Sequence, residues 1–200
     1  MHLRQHALLA AALLFSTGLA AGPEVGKPAP DFQAVDTAGN THAPSDYAGR
    51  TLVLEWTNHD CPFVIKHYGS GNMQDLQQRY TEQGVAWLTV ISSAPGKQGH
   101  VSALEADALT ETRGAAPSAV LLDPEGVVGR AYDARVTPHL YVIDPDGLLV
   151  YMGGIDSIPS ADPADIPRAT PYLANALDAV LTGNPVSDAV TRPYGCTVKY

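Results

Sequence analysis

The chain has 200 residues, 45% of them hydrophobic and 16% charged, and a formal net charge of −9. This composition is globular rather than disordered, and its length fits one domain with a proper core. The clustered Lys and Arg of a nucleic-acid binder are lacking, and the dispersed acidity serves solubility.

The first residues are not expected to join the fold. Met1-His2-Leu3-Arg4-Gln5-His6 is a short basic start, Ala7 to Leu19 is apolar, and Gly18-Leu19-Ala20-Ala21 offers the small residues of a cleavage site. That pattern predicts a secretory signal peptide over 1–21 and a mature domain over 22–200. The apolar run is short for a spanning helix, so no stable membrane insertion is expected after cleavage. Its removal takes the charge to −10, because Arg4 is the only charged residue in it. An exported protein, destined for the bacterial periplasm, is the expectation.

In the mature chain, Phe32-Gln33-Ala34-Val35 reads as a strand and Asp36 to Asn40 as a tight turn. Thr51 to Trp56 is an apolar run of buried-strand type. Pro62 to Tyr68 reads as a short helix, followed by Gly69-Ser70-Gly71. Asn72 is placed to cap a second helix, with Met73, Leu76 and Tyr80 on one face and Gly84 at its end. Val85 to Ile91 is a second buried strand, 92–100 a loop and Val101 to Arg113 a helix. Ala119 to Leu122 is a short strand and Val127 to Ala134 a short helix. Leu140 to Ile143 and Leu148 to Met152 flank Asp144-Pro145-Asp146-Gly147, a hairpin turn in which Pro fixes φ and Gly accepts positive φ. A Pro- and Asp-rich loop over 159–167, a helix over Tyr172 to Leu181 and an extended tail complete the chain. Alternating strands and helices followed by an antiparallel pair predict an α/β fold: a mixed sheet flanked by helices.

Only two cysteines occur, Cys61 and Cys196. Cys61 lies where the run Leu52-Val53-Leu54-Glu55-Trp56 gives way to Thr57-Asn58-His59-Asp60 and then Cys61-Pro62. Pro favours the first helical position, which puts Cys61 at the N-cap. There the helix dipole and free N–H groups favour a thiolate. Asp60 opposes that preference and His59 offsets it. In an exported protein, two cysteines also fit a plain structural disulfide. A metal site of copper-chaperone kind is a further alternative, with Cys61, His59, His67, His139 and Cys196 as its candidate ligands. Of these, His67 reads as a helix-surface residue and His139 as a satisfied loop residue. Lys66 reads as solvated, and Trp56 and Trp87 as core. The Gly96-Lys97 step lacks the Gly and Ser/Thr spacing of a phosphate loop.

These motifs resemble the redoxin branch of the thioredoxin-like superfamily, its peroxiredoxin-like subgroup. The resemblance runs from about Gly26 to Tyr200. It rests on Pro28-Ala29-Pro30-Asp31-Phe32, Trp56 to Val64, Asp123-Pro124-Glu125-Gly126, Thr137-Pro138, Asp144 to Gly147 and the ending Pro193-Tyr194-Gly195-Cys196-Thr197-Val198-Lys199-Tyr200. It implies a thioredoxin-like fold with a cis-proline at Thr137-Pro138 facing the cysteine. It also implies a thiol oxidoreductase of antioxidant type, without cofactor. Cys61 would attack a peroxide or a disulfide, and Cys196 would resolve the product. Thr57, Pro62, Thr137 and Pro138 would shape the pocket, and an external thiol would reduce the enzyme. Two departures stand out. The Cys-x-x-Cys of thioredoxins is absent, since Asn58 and Val64 hold those positions. The Thr that peroxiredoxins place three residues before the cysteine falls one earlier, at Thr57, and their partner Arg has only Arg130 or Arg135 as candidates. A non-catalytic partner-binding redoxin, with peptides pairing at the cis-proline edge, is the remaining alternative.

Overall fold

A computed structural model describes residues 22–200. The expected signal peptide lies outside the described residues. The strands are β1 (Ala34–Asp36), β2 (Thr41–His42), β3 (Leu52–Trp56), β4 (Ala86–Ile91), β5 (Ala119–Leu122), β6 (Val136–Thr137), β7 (His139–Ile143), β8 (Leu149–Gly153) and β9 (Cys196–Thr197). The helices are α1 (Pro62–Gly69), α2 (Asn72–Thr81), α3 (Ala103–Thr112), α4 (Val127–Ala131) and α5 (Tyr172–Leu181). Seven strands form one sheet in the order β2-β1-β5-β4-β3-β7-β8. Strands β3, β4 and β5 run parallel, β7 returns antiparallel beside β3, and β8 pairs antiparallel with β7 at the edge. This is the mixed, helix-covered sheet that the element order predicts.

The central strands are buried on both faces, which is why they read as continuous apolar runs. Their period of two sorts the side chains into two cores. Val53, Trp87, Leu140 and Val142 pack with Val64 and Tyr68 of α1, Met73 and Tyr80 of α2, and Leu173 and Leu177 of α5. Leu52, Leu54, Trp56, Leu88 and Val90 pack on the other face with Val128 of α4 and with Tyr132 and Tyr141. Trp56 and Trp87 are wholly buried, as expected of core residues. Each such Leu or Val contributes about 1.5–3 kcal/mol of burial. Among the described residues no helix is long and apolar enough to cross a membrane.

Several boundaries differ from the sequence reading, each for a local reason. Gly71, with φ +81, caps α2; Asn72 is its first residue and directs its side-chain amide to His67 Nδ1 at 2.9 Å. Helix α3 starts later than Val101, because Ser102 accepts from the Glu105 N–H and Glu105 reaches back to the Ser102 N–H. Helix α4 stops at Ala131, before Asp133 adopts φ 49. The 159–167 loop contains a 3₁₀ turn over Pro163–Arg168 that Asp162 caps. The tail is not merely extended: its β9 pairs antiparallel with β6 to make a second, two-stranded sheet.

Candidate active site

Strand β3 and the turn after it deliver Cys61. The Thr57 N–H donates to Val90 O at 3.1 Å, carrying the sheet pairing one residue past β3. Asn58 then closes the turn: its side-chain oxygen accepts from the Asp60 N–H at 3.0 Å and its carbonyl from the Cys61 N–H at 3.0 Å. Cys61 is therefore extended (φ −76, ψ 122) at the N-cap, with Pro62 first in α1, as the Cys-Pro step predicts. The Val64 N–H donates to the Cys61 carbonyl at 2.9 Å.

Cys61 has none of its surface exposed. Two segments distant in sequence close over its sulfur. The thiol donates to the Thr137 carbonyl at 3.0 Å, and the Cys196 N–H donates to Cys61 Sγ at 3.4 Å. Thr137 and Cys196 are register partners in the β6–β9 pair, and the Thr137 hydroxyl donates to the Cys196 carbonyl at 3.4 Å. The Thr137–Pro138 bond is cis, as the resemblance implies. Gly195 permits this approach. Its φ is +150, and a Cβ there would be driven into the Thr137 carbonyl. Both cysteines are free thiols.

The two thiols are tuned in opposite directions. Burial alone would raise the Cys61 pKa, but hydrogen bonds from the Cys196 thiol, the Cys196 N–H and the Val64 N–H outweigh it and hold the pKa below the ordinary thiol value. Cys196 is pushed up to about 11 by burial, by its bond to Cys61 and by the neighbouring sulfur's charge. Cys61 is thus the stronger acid of the pair and Cys196 the weaker.

Helix α1 carries a second polar group inward. Lys66 and His67 are buried, against the expectation of a solvated lysine and a surface histidine. Lys66 Nζ lies 3.3 Å from Asp156 Oδ2, 3.3 Å from the Ile158 carbonyl and 3.4 Å from the Tyr194 hydroxyl. The Tyr194 hydroxyl donates to Asp156 Oδ1 at 2.5 Å, and His67 Nε2 stands 3.3 Å from the same hydroxyl. Burial holds the His67 pKa down to about 4, so His67 is neutral. His67 shares a helix face with Val64 and Phe63 at i−3 and i−4, and that spacing is the signal that would have placed it inside. Lys66, Asp156, Tyr194 and Gly195 had no comparable signal, because their partners lie up to 128 residues apart.

The other named residues are distributed unevenly. Pro62 and Thr137–Pro138 lie at the sulfur. Thr57 is buried but lines a small cavity with Tyr68, Thr89, Leu109 and Arg113 that Cys61 does not line, and its hydroxyl has no hydrogen-bond partner. Arg135 pairs with Asp133, and Arg130 stacks on Tyr200 and donates to the Glu125 carbonyl. His59 pairs with Asp60 at 3.4 Å. His139 is not a loop residue: it opens β7, buried, with Nδ1 3.0 Å from the Tyr141 hydroxyl, and burial holds its pKa near 4. Among the described residues, no three His, Cys, Asp or Glu side chains converge as a metal site.

Solved structures share this architecture over most of its length. A hypothetical protein from Sinorhizobium meliloti is 25% identical with a TM-score of 0.74, covering 90% of this chain and 96% of that chain. An uncharacterized conserved protein from Geobacillus kaustophilus is 28% identical with a TM-score of 0.74, covering 88% of this chain and 92% of that chain. A Chlorobium tepidum protein provisionally named thiol:disulfide interchange protein DsbE is 22% identical with a TM-score of 0.56, covering 80% and 99%, and shares the fold. No curated protein matches the chain. The fold is thioredoxin-like, as its motif order implies. The family model described as AhpC/TSA matches residues 25–152, which span β1 to β8 and include Cys61 and the cis-proline step; the chain therefore belongs to the AhpC/TSA family.

Proposed function

We propose that this redoxin is an exported, peroxiredoxin-like thiol oxidoreductase with Cys61 as its attacking thiolate and Cys196 as its resolving thiol. The observation that carries the reading is the Cys196 N–H against Cys61 Sγ at 3.4 Å, with the two thiols shifted in opposite directions in acidity. The full burial of Cys61 favours a small oxidant, a hydroperoxide or a low-molecular-weight disulfide, over a folded protein partner. The basic and apolar pattern of residues 1–21 supports export.

The Cys61 thiolate attacks the terminal peroxide oxygen. The O–O bond breaks, the leaving alkoxide or hydroxide takes a proton, and Cys61 becomes a sulfenic acid. The negative charge that helped hold the Cys196 proton is then gone. Cys196 ionises more readily and attacks the Cys61 sulfur, so a disulfide forms and water leaves. Two external thiols then reduce that disulfide through a mixed disulfide, leave as their own disulfide and return both protein thiols. Thr137 and Pro138 wall the sulfur, and Pro62 sets the helix start. Thr57 shapes the turn from β3 rather than meeting the peroxide.

Stopped-flow mixing of the reduced mature protein with hydrogen peroxide tests this reading. Tryptophan emission should change, and intact mass should show a Cys61–Cys196 disulfide in the wild type. Cys196→Ser should trap one added oxygen on Cys61. A Cys61 inert to both hydrogen peroxide and a small disulfide would overturn it.

A further inference from the structure

The tail that carries Cys196 is held on both sides of the cysteine. Upstream, Tyr194 places its hydroxyl between Asp156 and Lys66, and its ring meets Phe63 edge-on at 5.7 Å. Phe63 and Lys66 belong to α1, the helix that begins at Cys61. Downstream, the Val198 N–H donates to the Arg135 carbonyl at 3.0 Å, and the Ala94 N–H donates to the Lys199 carbonyl at 2.8 Å. The Tyr200 ring fills a slot that a Cβ on Gly126 or Gly129 would close, and its hydroxyl donates to the Ala134 carbonyl at 2.7 Å.

The upstream anchor is chemically unusual. A lysine at 1% exposure and an aspartate at 5% are seldom buried unless paired. Here they share one phenolic hydroxyl from the tail. Were the tail to leave, Asp156 would lose its shortest donor and a buried charge pair would be left without its third partner, which is costly. The cluster therefore links departure of Cys196 to the disruption of a charge pair whose lysine is seated on the Cys61 helix.

We propose that Tyr194, with Asp156 and Lys66, positions Cys196 against Cys61 before oxidation, so that resolution competes without a prior closing motion of the tail. This rests on the reading of Cys196 as the resolving thiol. Once Cys61 is a sulfenic acid, two fates compete. Attack by Cys196 forms the disulfide and releases water. Attack by the sulfenic group on a second hydroperoxide breaks another O–O bond, forms a sulfinic acid and releases an alcohol or water. Pre-seating raises the effective concentration of Cys196 and favours the first.

Tyr194→Phe keeps the ring and deletes the hydroxyl. With reduced and oxidised glutathione, Cys61 partitions between a mixed disulfide, in which glutathione thiolate has left, and the Cys61–Cys196 disulfide, in which the second glutathione has left as well. The ratio of internal to mixed disulfide, read by intact mass, should fall by about tenfold or more in Tyr194→Phe and in Asp156→Asn. In peroxide, the same variants should accumulate Cys61 sulfinic acid at lower peroxide than wild type. An unchanged glutathione ratio would overturn the positioning role. Amide hydrogen exchange of the reduced wild type gives a variant-free check: the Cys196 and Val198 amides should be protected, and exchange at open-chain rates would equally overturn it. A wild type whose Cys61 ignores peroxide yet forms the internal disulfide in glutathione would defeat the peroxidase reading and leave the positioning role standing.

Discussion

Cys61 and Cys196 meet in space but are built in opposite ways. Cys61 is placed by local rules: a buried strand, an Asn-closed turn and a Pro at the first helical position. Cys196 is placed by partners from afar, with β6 pairing beside it and tyrosines anchored on either side. The first sulfur is fully buried with a lowered pKa; the second is half-buried with a pKa near 11. The contrast teaches that burial does not decide thiol acidity. It raises both thiols, and the donors facing Cys61 reverse its effect there.

The hardest break in this comparison is Cys61→Ser. It should reduce oxidation by peroxide or small disulfide to the buffer background, read by intact mass.

Acid should loosen the edge that the two sulfurs share. His139, next to Pro138, is held neutral down to about pH 4, whereas an unfolded histidine takes a proton near 6.5. Between those values the unfolded chain binds more protons. Stability is therefore full above 6.5, falls by about 3 kcal/mol as pH drops to 4, and levels off below. His67, also held near 4, acts in the same direction. Urea midpoints across that range should show the loss, and His139→Gln should remove its share of the slope. A flat profile in the wild type would rule this out.

Gly195→Ala sharpens the comparison from the tail side. It should cost about 1–3 kcal/mol through φ +150 and the Thr137 carbonyl. It should also lower the internal disulfide ratio in glutathione, while the helix start at Cys61 remains intact. Cys196→Ala, by deleting a thiol donor, should raise the Cys61 pKa, followed by thiolate absorbance against pH. The smallest effect belongs to Arg135→Gln. Its exposed pair with Asp133 does not reach the sulfur, so the rate of Cys61 oxidation should change by less than about twofold.

Much of this was legible in the sequence. The runs at 52–56 and 85–91, the Cys61-Pro62 step and the Asp144 to Gly147 turn follow from periodicity and turn chemistry, and each appears in the fold. Their motif order was enough for the fold class. The Cys61–Cys196 contact was legible only as one of several uses for two cysteines. Lys66 was not legible. Its charge argues for solvent, and only Asp156 and Tyr194, fixed by remote segments, explain its burial. Gly195 was equally silent, because the need for glycine there comes from Thr137 across the β6–β9 pair. Sequence patterns report faces of local elements; they do not report which distant backbone will approach.

The amide that faces the Cys61 sulfur comes from a residue 135 positions later. Loop closure over such a distance is slow compared with forming α1 and its strand. During synthesis, a chain that has not yet delivered residue 196 therefore holds a cysteine at a finished helix start without its cover. Such a chain is open to thiol–disulfide exchange with whatever disulfides are near, and arrival of the tail at once buries the sulfur and brings the Cys196 N–H to it. The order of folding thus becomes a safeguard: the sulfur is covered only in a molecule whose last strand has found its place.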